Sequence, residues 1–422
     1  HHWKIIYMKF IADFHIHSKY SHATSKFMDL ITLSTWSYLK GIGVMGSGDF
    51  THPIWQQDLK TQLQEVEPGL FELKSEYQKL VAPHVYESCK VHALSPHRFI
   101  LTSEISTVFK RNGRCYRTHS IILAPSFQAV DSITKDLEKI GNIKSDGRPI
   151  LGCDVRDIVK IALEASEQCM VIPAHIWTPW YGLLGSKSGF NSVHEAFGDL
   201  TQYIYALEKG LSSNFLMNAQ LSELDRFAIL CNSDAHSLQN LGREANVLNT
   251  DLSYTGITNA LRKNNKSELL AGIEFFPERG KYYGDGHRAC GVYLTPQQTA
   301  ELKGICPVCH RPVTVGVLHR VNQLADRTIE QAQQFAAKRY RVVPLLDIVA
   351  QELKQADSSL KVQKIYHQLL QQVGPEFYIL LKAPIADIQQ ASTLGIAEFI
   401  CRVRSGHIIV QPGYDGVYGK VQ

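Results

Sequence analysis

The chain has no long apolar run. None of its stretches approaches the ~20 apolar residues that a membrane helix needs, so no membrane-spanning helix is expected. It also lacks a strong charge of either sign. Lys and Arg number 44 against 40 Asp and Glu, a net charge of +4. That balance permits nucleic-acid binding without arguing for it, since the usual basic footprint is stronger. Bound divalent cations would add positive charge that the count ignores. There is no internal repeat, no low-complexity tract, no P-loop and no convincing nucleophile triad. No secretory signal is read. Met8 is expected to be the natural start, with HHWKIIY ahead of it outside the fold. The nine cysteines are an odd number, and Cys89, Cys115, Cys153, Cys169, Cys231 and Cys401 are scattered singly. They read as reduced thiols of a cytoplasmic protein rather than as a disulfide framework.

What is present is a series of short apolar runs that stop at residues able to do chemistry. KFIADFHIH stops at Asp13, His15 and His17, and GIGVMGSGDFTH at Asp49 and His52. RFILTSE stops at Glu104, CMVIPAH at His175, YIYALEKG at Glu208, and RFAILCNSDAH at Asp234 and His236. Helical patterns lie between many of them, as in DVRDIVKIALEASEQC with Val155, Ile158, Val159 and Ala162 on one face. Alternating strands and helices predict a parallel sheet, here of roughly seven strands, with functional groups at the strands' carboxyl ends.

One segment breaks the alternation. FILTSEISTVFKRNGRCYRTHSIILAP carries Asn112-Gly113 at its centre, the strongest short hairpin signal. A two-residue turn there pairs Arg111 with Arg114 and Ser106 with His119. Glu104 and His119 then become diagonal neighbours on one face, within side-chain reach. The tip charges Lys110, Arg111 and Arg114 are either a phosphate contact or a solvated turn.

His15, His17, Asp49, Glu104, His119, His175, Asp234 and His236 form a constellation. Imidazole mixed with carboxylate suits zinc, manganese or iron rather than magnesium alone. His-x-His sets both rings on one side of an extended segment, and SDAH does the same for Asp234 and His236. A single strand-end histidine is more often a surface or satisfied core residue. So many together would be costly to bury unpaired, and metal ions would satisfy them jointly. Asp13 either touches metal or orients His15 from behind.

From about Tyr282 the character changes. His287-x2-Cys290 followed by Cys306-x2-Cys309 has the spacing of a closed structural zinc site, with His310 or His319 as rival fourth ligand. The alternative, a redox pair, lacks a thioredoxin-like context. After roughly Arg339 the pattern is helical and amphipathic, and it ends in a Gly-rich, irregular tail.

The order HxH, Asp, Glu, His, His, DxH resembles the PHP (polymerase and histidinol phosphatase) superfamily, whose members are distorted seven-stranded β/α barrels holding two or three metals. FHIHSKYSHATSK, GSGDFTHP, HIWTPWYGLLGSKSGFNS, LEKGLSS, CNSDAH, LGREAN and YYGDGHRACG with CPVCHRPVTVGVLHRV narrow the resemblance to endonuclease Q, from about Met8 to GYDGVYGK. The chain departs from that pattern at His22, Ser47, Lys209 and Asn214, which bears on substrate range more than on chemistry.

The resemblance implies an α/β fold: a distorted (β/α)7 PHP barrel over 8–281, a small zinc-binding module over 282–339 and a helical C-terminal domain over 340–422. It implies a metal-dependent DNA repair endonuclease acting on double-stranded DNA. The bond hydrolysed would lie 5′ of hypoxanthine, uracil, xanthine or an abasic site. His15, His17, Glu104 and Asp234 would hold one ion and Glu104, His119 and His175 a second, with Asp49 and His236 at or near a third. Asp49, Glu104 and Asp234 would carry the catalysis. Two or three ions of zinc, manganese, magnesium or iron would fill the barrel, and one structural zinc the cysteine unit. Lys19, Tyr20, Lys26 and Arg243 are expected at DNA phosphates. Trp177, Trp180 and Tyr181 either receive a flipped base or pack under the barrel rim. A monomer is expected. A sliding clamp is kept as a partner, although the C-terminus carries no convincing clamp-binding peptide. Competing readings are a PHP-type phosphoesterase on a small phosphorylated metabolite, which would need neither zinc unit nor helical tail, and a non-catalytic DNA-binding protein, which would not need so full a ligand set.

Overall fold

β1 (Tyr7–Asp13) opens a ring of strands that the computed structural model describes over residues 7–421. The expectation about the stretch ahead of Met8 falls outside the described residues, Tyr7 excepted. The other barrel strands are β2 (Val44–Gly46), β3 (Arg98–Arg111), β4 (Arg114–Ala124), β5 (Met170–Pro173), β6 (Ala206–Glu208) and β7 (Ala228–Leu230). Outside β1 lie β8 (Ala245–Asp251), β9 (Leu269–Phe275) and β10 (Arg339–Val342).

The sheet is mixed, not parallel throughout as alternation predicts. β1, β2 and β3 run parallel, and β6 is parallel to β7. β4 is antiparallel to both β3 and β5. The reversal comes from the hairpin turn, where Asn112 (φ 51) and Gly113 (φ 78) take the two left-handed positions such a turn demands. Its register is the one the turn dictates, Arg111 opposite Arg114 and Ser106 opposite His119.

Two seams close the ring without long ladders. Ile176 N donates to Glu208 O at 2.9 Å beside β5 and β6. An isolated bridge, Ile16 to Ala235, joins the chain beyond β1 to the chain beyond β7. Asn246 of β8 splices this second seam: its amide donates to Cys231 O and Ala12 O, and its oxygen accepts from Cys231 N. Phe10, Ala12, Ile100, Ile121, Ile172 and Leu230 belong to one buried cluster with no surface exposure beyond 1%. Helices cover the outside, among them α1 (Leu30–Lys40), α2 (Phe127–Ile140) and α3 (Val155–Ala165). α3 buries Val155, Ile158, Val159 and Ala162, the face its periodicity marks, and starts with a capping box from Asp154 and Asp157.

Toward the C-terminus, α4 (Leu345–Leu353), α5 (Leu360–Gln372) and α6 (Leu394–Ser405) join the main core through Ile348, Tyr366 and Phe399. Two parts of the region read as helical or irregular are extended instead. Arg339–Val342 adds to the sheet as β10, parallel to β9. The tail pairs Val410–Gln411 with Lys420–Val421. It folds back on residues 278–288, with Gly413 N donating to Glu278 O, Gly416 N to Lys281 O, and Arg288 N to Asp415 Oδ2.

Candidate metal centre

The β3–β4 hairpin delivers Glu104 and His119 from within its strands, so Glu104 is not a strand end as its apolar run suggests. His15 and His17 follow β1, His175 follows β5, Glu208 ends β6, and Asp234 follows β7. Asp49, His175 and Asp234 have left-handed backbone, with φ of 47°, 29° and 48°. Such conformations cost on the order of 1 kcal/mol or more in a non-glycine residue and gather where function requires them.

Two groups of ligand atoms result, and they share Glu104. His15, His17, Glu104 and Asp234 form one; Glu104, His119 and His175 form the other. In the first, Glu104 Oε2 lies 3.4 Å from His15 Nε2 and 3.3 Å from His17 Nε2. Asp234 Oδ1 lies 3.6 Å and 3.2 Å from the same two nitrogens. In the second, Glu104 Oε1 is 2.9 Å from His119 Nδ1 and 3.0 Å from His175 Nε2, and those two nitrogens are 3.1 Å apart.

Chemistry argues that these groups bind cations. His15 Nε2, His17 Nε2 and Asp234 Oδ1 are buried, converge, and have no hydrogen-bond partner. Unsatisfied buried polar atoms are costly, and an ion would satisfy all three at once. Burial pushes the His15 imidazole down, but the Glu208, Glu104 and Asp234 carboxylates outweigh it and hold it well above its ordinary value. His17 is held well above in the same way, burial being outweighed by Asp49, Asp234 and Glu104. The negative charge that draws protons onto these rings is available to divalent ions instead.

Three of the four ligand rings are aimed from behind. His15 Nδ1 meets Glu208 Oε2 at 2.9 Å, His17 Nδ1 meets Asp49 Oδ1 at 3.1 Å, and His175 Nδ1 meets Thr178 Oγ1 at 2.9 Å. Such outer partners fix the tautomer and orientation of a ligand histidine. Glu208 also accepts from the His175 backbone N and from Asn232 Nδ2.

The structure thus places Asp49 behind His17 and not among the ligand atoms. Its other oxygen accepts from Ser18 N, Ser18 Oγ and Ser21 Oγ. His236 also stands outside both groups. Its ring lies 4.3 Å from that of His17, and its Nδ1 accompanies the Asp234 backbone oxygen at 3.0 Å. Asp13 braces backbone, accepting from Ser233 N, Gly242 N and His15 N, and contributes no ligand atom to either group. Glu208, Thr178 and Arg148 are additions to the residues singled out from sequence. Glu208 had carried a signal, an apolar run ending on a carboxylate. Arg148, whose Nη1 donates to Glu104 Oε2 at 3.1 Å, had none.

A groove of about 390 Å³ opens beside the clusters, lined by His119, His175, Asp234 and His236 together with Trp180, Tyr181, Tyr282, Tyr418 and Arg243. Tyr181 packs on His119 at 4.5 Å between ring centroids. Trp180 is 39% exposed and faces Tyr282. Arg243 is pinned to Ser233 O and Asp234 O. Trp177, in contrast, is buried and donates to Asn218 Oδ1, so it packs under the rim and offers no face to the groove. Tyr20 stacks on His52, with Lys19 and Lys26 exposed on the same loop. Arg111 at the hairpin tip is committed to Asp154.

The second candidate site gathers His287, Cys290, Cys306 and Cys309. Cys309 Sγ is 3.5 Å from His287 Nδ1. His319 pairs with Asp285 at 2.6 Å, and neither it nor His310 joins the group. The segment has a tiny apolar cluster, Leu294, Cys306 and Val313, as expected of a unit stapled by metal.

A seven-stranded mixed barrel whose rim gathers two overlapping His and carboxylate groups is the fold and site of a PHP-type metal-binding barrel. Comparison with solved structures narrows this. The crystal structure of the novel lesion-specific endonuclease PfuEndoQ from Pyrococcus furiosus matches with a TM-score of 0.83 at 29% identity, over 98% of this chain and 95% of that one. A crystal structure of endonuclease Q in complex with a 27-mer duplex substrate with an abasic lesion at the active site matches with a TM-score of 0.83 at 28% identity, over 98% and 96%. Over nearly its whole length the chain is thus similar in fold and in sequence to endonuclease Q. Residues 344–407 match the family model of the MJ0043 C-terminal domain. The uncharacterized protein MJ0043 of Methanocaldococcus jannaschii is 28% identical over 253 residues, 58% of this chain and 31% of its own length. The uncharacterized protein YqxK of Bacillus subtilis is 31% identical over 256 residues, 60% and 61% respectively. The chain spans less than two thirds of the length of either curated relative.

Proposed function

We propose that this protein is a metal-dependent DNA repair endonuclease that hydrolyses the phosphodiester bond 5′ of a deaminated base (hypoxanthine, uracil or xanthine) or of an abasic site. The observation that carries the reading is the pair of ligand groups sharing Glu104 beside an aromatic groove, in a fold that a DNA-bound relative also has. His15, His17, Glu104 and Asp234 would hold one divalent ion, and Glu104, His119 and His175 another. Bound there, such ions polarise a phosphoryl oxygen and bring the pKa of a water to about 7. Glu208, Asp49 and Thr178 keep the rings aimed. Glu104 and Asp234 supply the charge that holds the centre together. Asp49 acts through His17, and His236 faces the groove beside it.

An enzyme that inspects a base in duplex DNA must turn it out and hold it against aromatic surface. Trp180, Tyr181, Tyr282 and Tyr418 offer that surface, and Arg243 lines the same groove; Lys19, Tyr20 and Lys26, on the loop after His17, are assigned with it to contacts with the DNA backbone. We assign the barrel to residues 8–281, the zinc module to 282–339 and the C-terminal domain to 340–422. Among the described residues no helix is long and apolar enough to cross a membrane. The working unit is proposed to be a cytoplasmic monomer, with a sliding clamp as the partner to test by co-purification. The decisive assay incubates the protein with manganese or magnesium and labelled duplexes holding one hypoxanthine, uracil or abasic site. A nick on the 5′ side of the lesion is expected. Absence of nicking, with hydrolysis of a small phosphomonoester, would overturn the reading.

A further inference from the structure

The loop between α2 and α3 carries Arg148 to the mouth of the barrel, and the chain invests heavily in holding it there. Gly147 N donates to Tyr20 O at 3.0 Å. Asp146 Oδ1 accepts from both His22 N and Arg148 N, fastening the loop to the segment after His17. On the other side Pro149 O accepts from Ser106 N, and Ile150 pairs with Ser106 of the hairpin. Gly147 is a glycine of necessity: a Cβ there would lie 2.4 Å from Asp49 Oδ2 and 2.4 Å from Ser21 Oγ. The backbone before Arg148 is thereby clamped against the very residues that aim His17.

The guanidinium gives one hydrogen bond to the protein, to Glu104 Oε2, and its side chain remains 25% exposed. A guanidinium has five N–H donors, so most of its capacity faces the mouth. Among the described residues, no other Lys or Arg lies within ion-pair distance of the carboxylates of Glu104, Asp234, Glu208 or Asp49. Two divalent ions would balance those four charges. Arg148 would then leave the mouth net positive, and its closeness to the ions would be repulsive unless an anion lay between them.

We propose that Arg148 contacts the substrate, bridging from Glu104 to a non-bridging oxygen of the phosphate bound over the two ligand groups. A planar donor fork suits a phosphate bidentately, and a lysine there would supply charge without that geometry. The assignment rests on the phosphodiester reading of the site, but its anion-binding part stands by itself.

The test uses the full, metal-loaded chain and its Arg148→Gln and Arg148→Lys variants. Metal content is measured first and is expected to equal that of the wild type. Inorganic phosphate binding, followed by calorimetry, should weaken about tenfold or more in Arg148→Gln. Single-turnover cleavage of an abasic-site duplex should fall by about 10²–10³, the usual loss for one transition-state donor. Added guanidinium ion should restore part of that rate, and Arg148→Lys should recover only a fraction. Unchanged phosphate affinity and unchanged rate would overturn the proposal. So would a rate loss matched by metal loss, which would make Arg148 a positioning residue for Glu104. A wild type that binds phosphate through Arg148 yet cleaves no DNA would sink the nuclease reading and leave the anion contact standing.

Discussion

Glu208 shows how a single side chain can organise a metal site without entering it. Buried, it accepts from the ring of His15, the backbone of His175 and the amide of Asn232, so one carboxylate fixes a ligand in each group. Glu208→Gln keeps the shape and removes the charge. Metal affinity at the barrel is expected to fall about 10–100-fold with the fold retained, as measured by metal titration against circular dichroism. His97 tests burial alone, far from the metals. It is 5% exposed; burial, with Arg98 adding to it, outweighs a backbone contact with Ile42 and pushes its pKa down to about 3. The unfolded chain therefore binds the proton more readily. This contribution to stability is complete above the ordinary value of 6.5 and is lost as pH falls through the window down to about 3. Denaturant unfolding should show about 2 kcal/mol lost from this group between pH 7 and 5, a loss that His97→Phe removes. Sequence alone marked His15, His17 and Asp234 because His-x-His and Asp-x-His are local patterns. It could not separate Asp49 from a ligand, because what sets Asp49 back is the geometry of Ser18, Ser21 and His17 around it.

At the scale of elements, legibility follows how local the determinant is. The Asn112-Gly113 turn fixes its own register, so the diagonal approach of Glu104 to His119 could be read before any fold was known. The apolar face of α3 could be read for the same reason. The closure of the barrel could not. It depends on Asn246, whose partners Ala12 on β1 and Cys231 just after β7 are far apart in sequence, and an asparagine inside a strand carries no signal for such a role. Asn246→Ala would leave the N–H and C=O of Cys231 without this partner in a dry seam. A loss of about 3 kcal/mol is expected in equilibrium unfolding, since each abandoned buried group costs about 1–3 kcal/mol. A variant as stable as the wild type would show that the ladder closes the barrel unaided.

For the whole molecule the open question is why a barrel that already gathers its ligands carries a cysteine unit and a returning tail. The groove supplies an answer: Trp180 comes from the barrel, Tyr282 from the start of the cysteine unit, and Tyr418 from the tail. The tail reaches that place mainly through backbone bonds to residues 278–288, contacts that composition could not announce because all but the Asp415 carboxylate are main-chain groups. The two outlying segments can therefore be separated experimentally. Tyr418 is 50% exposed, so Tyr418→Ala should change stability by no more than about 0.5 kcal/mol. Loss of a stacking face is worth about 1–3 kcal/mol per base, so its affinity for a hypoxanthine duplex should drop about tenfold. Cys306→Ser should instead release zinc and loosen the tail's anchorage, weakening DNA binding and thermal stability together. If Tyr418→Ala binds a damaged duplex as well as the wild type does, the tail is a brace for the cysteine unit and no part of the groove's grip. In that case only the Cys306 variant will affect DNA, and it will do so in step with its zinc content.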